Sequence, residues 1–250
     1  MMVETNIKTC KILGVNIAAV NMKSLLKFIT TNLDKLKGEY ICVSNVHTTV
    51  MAYDNKDYLN VQNNSILSIP DGGPLSSVGR KRGYIEMQRT TGPDLLDEIL
   101  KISADKKYKH YFYGSTNETL DKLKLSINEK YDYVDIVGTY SPPFRELTDN
   151  EDENIVNNIN EAKPDFVWIG LGAPKQENWM YNHKGKVNAL MVGVGAAFDY
   201  IAGNIKRAPM WMQKLNLEWL YRLMQDPVRL FSRYLYTNIK FIINAVILGK

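Results

Sequence analysis

Apolar residues fall into short runs rich in β-branched and aromatic side chains, separated by stretches in which apolar positions recur at helical spacing. Lys11 to Ile17, Tyr40 to Val46, Ile66 to Ile69, His110 to Gly114, Val134 to Tyr140, Asp165 to Gly172 and Ala189 to Phe198 read as strands. The intervening stretches read as helices. The sharpest helix start is Thr91-Gly92-Pro93-Asp94, where threonine caps, proline takes an early helical position and aspartate faces the positive helix end. It opens a helix over Leu95 to Ser103. Strands alternating with helices predict an α/β fold: a Rossmann-like, mainly parallel sheet with helices on both faces and ligands beyond the carboxyl ends of the strands. From Asn204 the pattern changes to arginines and aromatic residues with no further strand signal. The expected organisation is a Rossmann-like core over 1–203 and a basic, amphipathic, helical C-terminal appendage over 204–250.

Composition narrows the class. With 250 residues, 45% hydrophobic and 23% charged, the chain is globular and long enough for an ordinary core. Cys10 and Cys42 are far apart and form no CxxC pair, which suits a reducing compartment. His47, His110 and His183 are scattered without zinc-ligand spacing, so no metal is expected. The opening MMVETNIKTC carries no secretory signal pattern. A membrane span needs about 20 apolar residues, and the most apolar segment, Phe241 to Leu248, is broken by Asn244 and preceded by Lys240. A cytoplasmic location follows as the expectation. The net charge of +4 is uneven: residues 204–250 hold eight Lys/Arg against two Asp/Glu, and the rest hold twenty-three against twenty-five. Such a tail suits phosphate groups, anionic lipid or nucleic acid, with a plainly solvated helical face as the alternative. No helix-turn-helix or RNA-binding motif accompanies it, so nucleic acid is not an expected partner.

Three strand ends carry candidate chemistry. Asp165 to Gly172 ends in Gly170 and Gly172, then Ala173-Pro174-Lys175-Gln176-Glu177 leads into a helix; small residues there let a phosphate-bearing ligand approach the backbone. The third glycine of a dinucleotide fingerprint is missing, which argues against the rival reading of a nucleotide-dependent oxidoreductase. Val192 to Asp199 repeats the theme around Gly195, and Asp199 is placed either to accept from ribose hydroxyls or to cap a helix or pair with Arg207. Pro70-Asp71-Gly72-Gly73 sets a carboxylate just after a strand, where it suits a general base and equally an ordinary turn.

Asn45, Pro70-Asp71-Gly72, Arg89 with Thr91 to Leu95, Gly170 to Glu177, Val192 to Asp199, Ala202-Gly203, Arg207-Ala208-Pro209, Leu217-Glu218-Trp219 and Tyr221-Arg222-Leu223 together resemble the WecG/TagA/CpsF glycosyltransferases. GAPKQE, AGNIKRAP and LEWLYRL in this order are the specific part. The resemblance implies a metal-independent, cofactor-free, inverting glycosyltransferase that uses a UDP-sugar donor and an undecaprenyl-diphosphate-linked GlcNAc acceptor at the inner face of the membrane. An N-acetylmannosamine-type sugar is the leading donor, with N-acetylmannosaminuronic acid or a hexose as alternatives. It further implies Asp71 as base, Asn45 and Arg89 near the sugar, Gln176 in the pocket motif, Asp199 in the nucleotide region and Arg207 among the substrate-binding residues. Val43 stands where relatives often carry threonine, so that contact is not carried over.

Without a metal, arginine suits the neutralisation of a departing diphosphate, and the tail supplies Arg222, Arg229 and Arg233. At 100° per residue, Arg229, Arg233 and Lys240 lie within about 40° on one face, with Phe231, Leu235, Ile239, Ile242 and Val246 opposite. Plain core packing of that apolar stripe is the favoured expectation, and an anionic membrane surface its rival. Trp211, Trp219, Tyr221 and Tyr234 fit either core packing or an interface, which leaves a homo-oligomer open.

Overall fold

The computed structural model describes residues 6–250; the first five, at the head of the stretch read above for a secretory signal, lie outside the described residues. Eight strands are described: β1 (Thr9–Ile12), β2 (Val15–Ala18), β3 (Tyr40–Ser44), β4 (Leu67–Pro70), β5 (Lys109–Gly114), β6 (Asp135–Tyr140), β7 (Phe166–Gly170) and β8 (Leu190–Gly193). The helices that follow the early strands are α1 (Met22–Asn32), α2 (Val46–Asp54), α3 (Lys56–Asn63), α4 (Gly73–Lys81) and α5 (Gly92–Lys106). The later ones are α6 (Asn117–Lys130), α7 (Asp149–Ala162), α8 (Lys175–Asn182), α9 (Ala197–Ile201), α10 (Met210–Lys214), α11 (Glu218–Gln225) and α12 (Pro227–Phe241). A wide-turned π-helical segment, Ile242–Ile247, continues α12.

Two strand readings change. Lys11 to Ile17 is a hairpin rather than one strand: Leu13 and Gly14 both take positive φ, 49° and 89°, and Ile12 pairs with Val15 across them. The run Ala189 to Phe198 leaves the sheet after Gly193 and enters α9 at Ala197. Its apolar character continues because both pieces are buried, and burial alone does not distinguish strand from helix.

The residues group into two compact units. The first takes Lys23–Cys42 and Gly92–Ile205; the second takes Asn6–Met22, Val43–Thr91 and Lys206–Lys250. In the first, strands run β3-β8-β7-β5-β6, every neighbouring pair parallel. Parallel neighbours need long crossovers, and α6, α7 and α8 supply them. Because helices cover it, strands such as Phe166–Ile169 are buried on both sides. His110 is wholly buried there and stacks on Phe166 and Trp168. Trp168 Nε1 donates to His110 Nδ1 at 3.0 Å, so the proton of the neutral ring sits on Nε2, which donates to Ser103 Oγ at 2.8 Å. Ser103 in turn donates to the Ile99 carbonyl at 2.6 Å, so each polar atom is satisfied.

In the second unit the hairpin pairs antiparallel and β2 runs parallel to β4. The C-terminal residues belong to this unit, where α12 packs on α2 and buries Leu230, Thr237 and Phe241. The helix is rotated so that its cationic side lies toward α2: Lys240 pairs with Asp54, and Tyr236 donates to the same carboxylate at 2.8 Å. The expected core packing of the apolar stripe is thereby overturned. Phe231, Leu235, Ile239, Ile242 and Val246 remain 47–59% exposed, because the carboxylate on α2 and the buried Leu230, Thr237 and Phe241 beside the cations set the rotation of the helix.

Candidate functional site

In the first unit, β7 and β8 are neighbours with Ile169 opposite Gly193, so the two glycine turns leave the sheet side by side at its carboxyl edge. Gln176 joins them. Its Oε1 accepts from the Gly172 amide at 3.2 Å, its own amide donates to the Gly172 carbonyl at 3.0 Å, and its Nε2 donates to Glu177 Oε1 at 2.8 Å. A Cβ on Gly193 would come within 3.0 Å of Gln176 Nε2, and one on Gly195 within 3.6 Å of Oε1. The glycines of the β8 turn therefore leave the space that Gln176 occupies, while Gly170 makes room for Phe198. The amides of Val194 and Gly195 donate to Ile169 O at 2.9 and 3.3 Å. With Gly172 and Gly195 spending their N–H groups internally, these turns offer shape more than donors to a ligand. Asp199 stands apart on α9, where Asn204 donates to it at 3.3 Å. Glu177, fully buried beside Gln176, has no role in the sequence reading; an acid directly after the glutamine was the available signal.

In the second unit, the Asp71 amide donates to Ser44 O at 2.7 Å, which ties the residue after β4 to the last residue of β3. Asn45 follows Ser44 and caps α2: its Oδ1 accepts from the Thr48 amide at 3.1 Å, and Thr48 Oγ1 accepts from the Asn45 amide at 2.9 Å. Capping uses the oxygen and leaves Nδ2 to donate. After Asp71, Gly72 takes φ 98°, and a Cβ on Gly73 would lie 2.2 Å from Asn216 Cγ. Gly72 is required by its backbone conformation, and Gly73 by the approach of the segment before α11.

Arg89 and Arg207 are drawn together by Glu218. Its carboxylate pairs with Arg89 and, at 3.2 Å, with Arg207 Nε, while Arg207 also approaches Thr91 Oγ1 at 3.4 Å. Glu218 is one of only two acids in the basic tail, and its neighbours along the chain do not reveal this pairing; the other acid, Asp226, pairs with Arg229 at 2.5 Å. Tyr234, packed edge-on against Trp219, marks where the remaining charges meet. Burial pushes its phenol up, Arg222 and Arg233 pull it down, Asp71 adds an upward push and Arg229 a further downward one. Asp71, Arg222, Arg229 and Arg233 thus all act electrostatically on one phenol, a grouping no linear motif displays. The second unit brings together the acid, the amide and the cations, and the first unit brings together the two glycine turns and Gln176.

The sequence profile described as the glycosyl transferase WecG/TagA/CpsF family matches residues 10–249. A Bacillus subtilis (strain 168) protein named N-acetylglucosaminyldiphosphoundecaprenol N-acetyl-beta-D-mannosaminyltransferase is 31% identical, over 84% of this chain and 80% of that protein. A Staphylococcus aureus (strain MW2) protein of the same name is 30% identical, over 90% of this chain and 89% of its own length.

Proposed function

Because the chain belongs to the WecG/TagA/CpsF glycosyl transferase family, we propose that it moves N-acetylmannosamine from UDP to the N-acetylglucosamine of an undecaprenyl-diphosphate-linked acceptor, in cell-surface polysaccharide or teichoic acid synthesis. The observation that carries the mechanism is Asp71 at the end of β4 with arginines gathered on the same tyrosine. An acceptor hydroxyl oxygen attacks the anomeric carbon from the face opposite the nucleotide. The bond from that carbon to the β-phosphate oxygen breaks, its electron pair leaves with UDP, and the configuration inverts. Asp71 takes the hydroxyl proton as the new bond forms. Arg222, on α11, neutralises the charge that develops on the leaving diphosphate. Asn45 donates through Nδ2 to the sugar, and Arg89, held by Glu218, is a fixed rather than mobile contact there.

Gln176 shapes the nucleotide end together with Gly172 and Gly195; Asp199 in the nucleotide region and Arg207 as a substrate contact follow from the family resemblance. The exposed stripe of α12 and the basic tail support a peripheral place on an anionic membrane surface, and no helix among the described residues is long and apolar enough to cross one. The deciding experiment offers UDP-N-acetylmannosamine, its uronic acid and UDP-hexoses with a short-chain lipid-diphosphate-GlcNAc acceptor. Transfer from the first, with release of UDP, is expected. Preference for another donor revises the sugar, and transfer from none defeats the reading.

A further inference from the structure

Beside the arginines of the transfer site lies a cavity whose other wall the transfer chemistry does not use. It is an open space of about 430 Å³ between α2 and α12, lined by His47 and Asp54 on one side and by Arg229, Ser232, Arg233 and Thr237 on the other. Its charges do not cancel. Asp54 is committed to Lys240 and Tyr236, and Arg229 to Asp226, whereas Arg233 pairs with no carboxylate among the described residues. His47 Nδ1 is buried in the protein and has no hydrogen-bond partner among the described residues. Burial, with Arg233 adding to it, pushes His47 down to about 4, so the ring is neutral near pH 7 and carries one N–H. An unpaired guanidinium beside an unused ring nitrogen asks for an anion that also accepts a hydrogen bond, and phosphate does both.

The position of the cavity selects among phosphates. The helix that supplies Arg233 exposes Phe231, Leu235 and Ile239 on another side. A lipid-linked diphosphate carries its phosphates directly on the hydrocarbon chain, so its binding site must lie within reach of an apolar, lipid-facing surface. UDP makes no such demand, and Arg222 on α11 remains for it. We propose that the cavity between α2 and α12 is the diphosphate subsite of the lipid-linked acceptor, with Arg233 supplying the charge and His47 Nδ1 a hydrogen bond. The proposal rests on the transferase reading above and adds His47 to its binding residues.

Calorimetry on the full chain, titrated in turn with farnesyl diphosphate and with UDP, tests it beside steady-state kinetics. Arg233→Gln and His47→Ala should each weaken farnesyl diphosphate binding by about tenfold. Each should raise the acceptor KM in step and leave UDP binding unchanged, and His47→Ala, which lies outside the transfer machinery, should keep kcat at saturating acceptor within about threefold. Loss of UDP affinity with intact farnesyl diphosphate binding would overturn the assignment, as would variants that alter neither ligand. Should His47→Ala fail to fold, Arg233→Gln, exposed on α12, carries the test alone. A wild-type chain that binds farnesyl diphosphate through these two residues yet transfers no sugar keeps the subsite and sinks the transferase reading. One that transfers sugar with both variants unimpaired does the reverse.

Discussion

Asp71 is placed by a backbone hydrogen bond to the neighbouring strand end, so exchanging its side chain leaves that anchor in place. Asp71→Asn should therefore keep the thermal midpoint and UDP affinity while lowering kcat by about a hundredfold or more, as loss of a general base does. Near-normal turnover would remove Asp71 from the chemistry. Two residues on, Gly73→Ala places a methyl group 2.2 Å from Asn216 Cγ. The overlap reaches Cβ as well, so a rotamer change is no escape; a loss of about 1–3 kcal/mol in denaturant titration is expected. His110 makes a prediction for pH. Burial lowers it to about 3, whereas the unfolded chain protonates near its ordinary value of 6.5. Below 6.5 the unfolded state binds the extra proton, so the stability from this group is whole above that pH and falls steadily toward 3. His110→Gln should flatten the stability profile between these limits; an unchanged slope would show that other groups set it. The strand-end positions of Asp71 and Gln176 were legible in the sequence, while their proposed roles come from the family resemblance. His47 and Glu218 were not legible, since each acquires its role from a residue more than a hundred positions away.

At the scale of elements, period and turn chemistry located most strands, and failed where two elements share one apolar run. The Leu13-Gly14 turn was hidden inside such a run, and α9 inside another. The faces of α12 were correctly separated by helical spacing, but the side that would be covered was misjudged, because Asp54 on α2 decides it. That rotation yields a prediction. Phe231→Ser with Leu235→Ser removes half-exposed side chains and should leave the fold intact, yet weaken binding to anionic vesicles by about tenfold or more. Arg222→Ala should instead lower turnover on a soluble acceptor by about a hundredfold with vesicle binding little changed, since a lost transition-state donor costs that much. If both changes act alike in both assays, the separation of lipid contact from chemistry is wrong.

For the whole molecule, the sequence reading treated 204–250 as an appendage, whereas by contact those residues group with Asn6–Met22 and Val43–Thr91. Even the final residue is engaged: the Lys250 carbonyl oxygen accepts from the Leu13 amide at 3.3 Å and from Arg82 at 2.8 Å. Contact between segments so distant in sequence leaves no periodic trace, so composition alone carries no sign of this grouping. With Arg222 assigned to the leaving diphosphate, catalysis should persist in excess EDTA; activity lost to chelation and restored by magnesium or manganese would refute that assignment. The exposed stripe of α12 carries one more consequence. A catalyst that rests on the bilayer meets its lipid-linked substrate by lateral diffusion, so what it senses is mole fraction in the leaflet rather than molarity in the tube. Adding inert anionic lipid at constant acceptor and protein, once all the protein is bound, should slow the reaction in proportion to the dilution of the surface, whereas a detergent-soluble short-chain acceptor should show no such dependence.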